Sequence, residues 1–243
     1  MEINIDVKTV EDWKKHFPPA GGDKQWRDGY SAKEFAKIVI KNDFEKKLRL
    51  VFGNGFKISP YEIYPERLSR FDEYGGPRHH DLACCAELNG KRIVLCFEAK
   101  VNESLDKKLE NYRYKGSENQ LSRCDGLCDV FFGSKYEEKY KNVYFQILSS
   151  IAGTIAFAAE NNVEDAYFVL FQIIPNANSN TSNAKQEHIN ALNEFIKHVK
   201  SSPNKRIEKS DDIVNIGKLS IPRKDEKNQP MTANVFIVYI ETE

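Results

Sequence analysis

Three ionisable residues set the chemical question in this 243-residue chain: Asp81, then Glu98 and Lys100 in the run Glu98-Ala99-Lys100, with sixteen residues between the two acids. Between them stands Asn89-Gly90, flanked by the β-rich runs HDLACCAEL and RIVLCFEAKV, the strongest short signal for a two-residue type I′ hairpin. Such a loop pairs Leu88 with Lys91, and counting outward sets Glu87 opposite Arg92, Cys85 opposite Val94 and Asp81 opposite Glu98. Side chains alternate along a strand, so Lys100, roughly 7 Å beyond Glu98, shares a face with both carboxylates. Carboxylates opposed on neighbouring strands repel by on the order of 1 kcal/mol, and by more where water is excluded. A divalent cation, Mg²⁺ or Mn²⁺, offsets that repulsion, since Mg²⁺ takes carboxylate oxygens at about 2.1 Å and keeps waters elsewhere. In phosphodiester hydrolysis such an ion activates a water, while an adjacent ammonium positions the nucleophile or neutralises the oxyanion, which suits Lys100. In the bland alternative, Lys100 simply pairs with Glu98.

The elements that position these groups are legible in outline. Residues 1–30 carry Trp13, the turn residues Pro18, Pro19, Gly21 and Gly22, and Trp26, and read as an arm packed on a single domain of residues 31–243. SAKEFAKIVIKN predicts a helix whose N-cap is Ser31, with Glu34 three positions on, and Gly53 and Gly55 end the helical text that follows it. SPYEIYPERLSRFDEYGGP is broken by Pro60, Pro65 and Gly75-Gly76-Pro77, so strand pairing is expected to begin after that turn. Downstream, NVYFQILSSIAGTIAFAAENN predicts a buried helix ending at an Asn pair. DAYFVLFQII predicts a central strand covered on both faces and parallel to a neighbour. After the polar loop NANSNTSN come an amphipathic helix, AKQEHINALNEFIKHVKS, and the strands IVNIGKLSI and ANVFIVYIET. The fold class is therefore α/β, a mixed central sheet flanked by helices.

Composition narrows the function classes. Lys+Arg and Asp+Glu are both 36, so attraction to nucleic acid must come from a local patch. Lys107, Lys108, Arg113, Lys115 and Arg123, with Tyr112 and Tyr114 among them, form the one phosphate-facing candidate, although Glu110, Glu118 and Asp125 fit a solvated surface better. Acidic residues stand where a secretory signal would be apolar and no apolar run reaches about 18 residues, so a cytoplasmic protein with no membrane partner is expected. Cys84, Cys85, Cys96, Cys124 and Cys128 have no framework spacing, and Cys124 and Cys128 lack further zinc ligands, so reduced, buried thiols are expected. His79 and His80 point to opposite faces of a strand, so at most one joins Asp81, and surface polarity is the expected role of both.

Asp81 followed by Glu98-Ala99-Lys100 resembles the PD-(D/E)xK pattern of restriction endonucleases and related DNA-processing enzymes, with His80 where that family often has proline. The resemblance implies a restriction-endonuclease-like core, Asp81 and Glu98 holding Mg²⁺ or Mn²⁺, and Lys100 assisting the attacking water. It extends to Gln146 in YFQIL, similar to a site-orienting glutamine on the helix after the core hairpin. It also implies an upstream metal-contacting acid, for which Glu66, Glu62 and Glu34 are candidates. WRDGYSAKEFA, EYGGPRHHDL, FEAKVNES and VYFQIL are further similar to a bacterial family placed in this nuclease-like group, across roughly residues 26–172. The implied partner is nucleic acid, DNA above RNA, with a homodimer left open. The rival reading is a catalytically inactive module of the same fold that binds a protein or nucleic-acid partner. Glu103, just past the second strand, is either a further polar contributor or a solvated surface acid.

Overall fold

Asn89 and Gly90 adopt φ of 52° and 81°, the left-handed pair that a type I′ turn requires, and they close the hairpin of β2 (Arg78–Leu88) and β3 (Lys91–Lys100). The ladder runs in the expected register from Leu88 opposite Lys91 to Leu82 opposite Phe97. The computed structural model describes residues 7–19, 21–41, 43–101, 103–174, 182–201, 204–224 and 229–242. Most of the expected polar loop at 176–183 lies outside them.

The first correction concerns the segment before the hairpin. Phe56–Ser69 is not a broken loop but a long strand, β1, antiparallel to β2. Pro60 and Pro65 are tolerated because β1 is the sheet's edge, where a missing N–H costs no ladder bond. An irregularity between Ile58 and Ile63, with Tyr61 at φ 64°, absorbs Pro60.

Beyond β3 the chain crosses over through α4 (Leu109–Arg113), α5 (Glu118–Phe132) and α6 (Phe145–Glu160) before entering β4 (Asp165–Ile173). A crossover returns a strand parallel, and β4 pairs parallel to β3, with every residue after Asp165 buried. α7 (Ser182–His198) leads to β5 (Ile213–Lys224) and β6 (Pro230–Thr242), β6 lying parallel to β4 and antiparallel to β5. The six strands run β1-β2-β3-β4-β6-β5, a mixed sheet flanked by helices.

Each face of the sheet buries its own core. On one, Ile147, Leu148, Ile151 and Ile155 of α6, with Phe131 of α5 and Phe195 of α7, pack on Val94, Cys96 and Phe168. On the other, α2 (Ser31–Ile40) and α3 (Asp43–Phe52) set Phe35 and Phe44 against Phe97 and Phe171, with ring centroids 5.0–6.0 Å apart between the helices and the sheet. Trp13, from α1 (Val10–His16), is buried in this second core, so the N-terminal segment is stitched to the sheet. Ser31 is the first residue of α2 rather than its N-cap, and Tyr30 in the N-cap position makes no side-chain capping bond among the described residues. The Ser31 amide instead donates to Glu103 Oε1 at 2.9 Å, a partner 72 residues away. Among the described residues no helix is long and apolar enough to cross a membrane.

Candidate active site

At the end of the sheet where β2 begins and β3 finishes, a cleft of about 350 Å³ brings together Asp81, Glu98, Lys100, Gln146 and Glu66. The hairpin ladder stops at Leu82–Phe97, and the next position is not a facing carboxylate pair. Asp81 Oδ2 accepts the Ala99 amide of β3 at 2.6 Å. Glu98, 5 % exposed, pairs through Oε2 with Arg78 and through Oε1 with Lys100 Nζ at 2.9 Å. The expected convergence therefore holds in place but differs in detail, because neighbouring cations already neutralise Glu98.

Gln146 enters from the first turn of α6. That turn is pinned to the segment after β3, since the Leu109 amide donates to Val143 O at 2.8 Å and the Phe145 amide to Lys107 O at 3.0 Å. Gln146 Oε1 accepts the Asp106 amide at 3.0 Å, which leaves Nε2 to donate to Glu98 Oε1 at 2.6 Å. The side chain thus holds Glu98 in one orientation.

Of the three upstream acids, Glu66 alone lines the cleft. Glu34 accepts the Gly29 amide at 2.9 Å and pairs with Lys37, and Glu62 pairs with Arg92. Glu66 stands at φ 52° on β1, a left-handed conformation that costs a non-glycine residue roughly 1–2 kcal/mol and is concentrated at functional sites. Removal from water, then the charge of Asp81, pushes its carboxyl up to about 9. Burial also raises Asp81, a shift that Lys100, the Ala99 amide and Arg78 oppose. Burial lowers Lys100, and Asp81 is the main charge that opposes the change. It brings Arg78 down to about 10, again against Asp81.

Four residues take positions that the sequence reading missed or left open. Arg78, three residues before Asp81, carried no motif signal; its place at the first position of β2 puts it on Glu98. His79 lines the cleft with Nδ1 3.1 Å from Glu66 Oε2, and burial lowers its pKa. His80 is not a surface residue: it is fully buried against the Gly153 backbone, and burial holds its pKa well below the usual imidazole value. The expectation of surface polarity failed there because β2 runs under α6, where Gly153 leaves just enough room for the ring. Glu103 takes the amides of Ser31 and Val101, at 2.9 and 2.7 Å. Burial would raise its pKa, yet those amides hold it below the usual carboxylate value.

Of the five basic residues considered as a phosphate-facing patch, the two arginines are held in ion pairs, in keeping with the solvated surface preferred for this stretch. Arg113 meets Asp125 at 2.5 Å and Arg123 meets Asp72 at 2.7 Å.

The donor set tests whether a divalent cation suits the cleft. Among the described residues no three His, Cys, Asp or Glu side chains are grouped as a ready metal cage. Mg²⁺ rarely uses one, taking one or two carboxylates and leaving waters and substrate phosphate to complete the octahedron. Glu66 and Asp81, each raised by burial and Glu66 further by its neighbour's charge, are such a pair, and a cation would relieve both penalties. Asp81 and Glu66 would hold the ion, with Glu98 beside them.

Across residues 6–241 the chain matches the family described as Domain of unknown function (DUF6946). The chain belongs to this family. No curated protein and no solved structure matches it.

Proposed function

We propose that this member of the family is a metal-dependent nuclease that hydrolyses phosphodiester bonds, of DNA above RNA, with Mg²⁺ or Mn²⁺ as cofactor. One observation carries the reading: two half-buried carboxyls, Glu66 and Asp81, each raised by removal from water, stand beside an ion-paired Lys100 in a single cleft. The bound cation supplies Lewis acidity toward a phosphate oxygen and lowers the pKa of a coordinated water. The chain's own groups do the rest. Lys100, its proton loosened by burial, donates a hydrogen bond to the attacking water or the developing oxyanion. Glu98 holds Lys100 Nζ at 2.9 Å, and Gln146 fixes Glu98, so the ammonium is oriented before substrate arrives. The resemblance to PD-(D/E)xK enzymes supports this assignment of roles. Buried, unpaired thiols at all five cysteines suit a cytoplasmic setting.

One observation favours the rival, a catalytically inactive module binding a protein or nucleic-acid partner: Arg78 and Lys100 already neutralise Glu98 without a metal. Calorimetric titration with Mg²⁺ and Mn²⁺ separates the two. Binding that Asp81→Asn abolishes, together with divalent-dependent cleavage of DNA that Lys100→Ala lowers by about 10²–10⁴-fold, supports the nuclease. No divalent binding by the wild-type protein, and no cleavage of DNA or RNA, leaves the binding module standing.

A further inference from the structure

The size and walls of the cleft limit what can reach Asp81 and Lys100. Its volume of about 350 Å³ lies at the small end of ligand pockets, which span roughly 300–1,000 Å³. That is room for one nucleotide but not for a base pair, so a base that enters the cleft does so unpaired.

One wall is the N-terminal segment, which contributes Pro19, Gln25, Tyr30, Ser31 and Ala32. The wall is fastened at both ends. Trp13 is buried beneath the sheet, and the Ser31 amide is held by Glu103. Exposed pairs between, Lys14 with Asp23 at 2.7 Å and Lys37 with Asp28 at 2.7 Å, add little individually but follow the same course. Tyr30 is 43 % exposed, and among the described residues it is the one large exposed apolar side chain that lines the cleft. An aromatic face at the rim of a pocket that holds Arg78 and Lys100 beside its carboxyls is a surface on which an unpaired base can stack. Enzymes acting inside a snug pocket meet their nucleotide unpaired or extruded from the helix.

We infer, resting on the nuclease reading above, that the cleft takes one unpaired nucleotide of a DNA strand at a time, with Tyr30 stacked on its base. Strand ends and single-stranded stretches are then the substrate, and uninterrupted duplex is not.

Binding measured by fluorescence anisotropy, with the full chain in EDTA so that no bond is cut, tests this independently of activity. The probe is a labelled single-stranded oligothymidine, and the competitor is a relaxed, covalently closed duplex circle at equal nucleotide concentration. The expected result is that the circle competes at least tenfold less well than unlabelled oligothymidine. Tyr30→Ala is expected to weaken the oligothymidine about tenfold and Tyr30→Phe to leave it unchanged, since the ring face is the contact. Equal competition by the circle, indifference to Tyr30→Ala, or no binding of oligothymidine overturns the inference. The nuclease reading fails on a different result, the absence of divalent-dependent cleavage from every DNA offered.

Discussion

Glu66 holds its proton up to about pH 9 in the folded protein, whereas in an unfolded chain a glutamate releases it near 4.3. Between those values the folded state binds more protons than the unfolded one, so the stability Glu66 contributes falls as pH rises through that window. Glu66→Gln keeps the position neutral and removes the dependence. Denaturation midpoints of variant and wild type are expected to lie close together near pH 5 and to separate in favour of the variant toward pH 9. A cation reverses the balance, because it displaces that proton on binding. The Mg²⁺ affinity of the wild type is therefore expected to climb by up to about tenfold per pH unit between pH 6 and 9, and that of Glu66→Gln to stay flat, in calorimetric titrations at each pH. A flat wild-type profile would remove Glu66 from the metal site. The sequence reading left Glu66, Glu62 and Glu34 equal, since an acid in a run of text carries no address. What distinguished Glu66 was its opposition to the Asp81 end of β2, visible once β1 was known to be a strand.

Helix α6 bears on the site through Gln146 in its first turn and, from its middle, through one small residue. A Cβ placed on Gly153 would stand 2.7 Å from His80 Nε2 and 2.9 Å from Arg78 Cβ, both on β2. Alanine gains about 1 kcal/mol over glycine in a helix interior, but overpacking a close-packed interface costs about 1–3 kcal/mol. Clash wins here, so Gly153→Ala is expected to destabilise the protein and to move Arg78 off Glu98. Gly126 on α5 makes the control: a Cβ there meets nothing within 4 Å, so Gly126→Ala is expected to stabilise by up to about 1 kcal/mol. Chemical denaturation of the pair checks both signs, and equal shifts would refute the clash argument. Elements with a strong local signal were legible in advance: the hairpin with its register, α6, β4, α7 and the closing strands. β1 was not, because proline breaks a ladder in a central strand yet is harmless on an edge, and edge position depends on the sheet's order rather than on any residue.

Charge balance across the protein bears on how it would meet DNA. Lysines plus arginines equal aspartates plus glutamates at 36 each, and the arginines of the 107–123 stretch are paired with Asp125 and Asp72. At the cleft itself the cations are Arg78 and Lys100, both already paired with Glu98, so few phosphates are neutralised there. With roughly three contacted on a single strand, the slope of log affinity against log salt is expected near −2. A slope several times steeper, read from anisotropy titrations across salt concentrations, would mean an extended basic track instead of a local pocket. The same economy appears in stability, which rests on the two cores on either face of the sheet. Phe97, fully buried among Phe35, Phe44 and Phe171, is expected to cost about 3–5 kcal/mol when cut to alanine, measured by urea unfolding.

Local order in the text was enough to decide the α/β class, the Asn89-Gly90 turn, and hence that Asp81, Glu98 and Lys100 gather at one end of the sheet, because a two-residue loop leaves the register no freedom. Which atoms meet there was settled by contacts across long separations. The Ala99 amide claims Asp81, Arg78 claims Glu98, Glu103 caps α2 from 72 residues away, and Glu66 is delivered by an edge strand. Periodicity reports the face on which a side chain lies, whereas partner choice is made by packing and desolvation among elements distant in sequence, and no neighbouring residue encodes it.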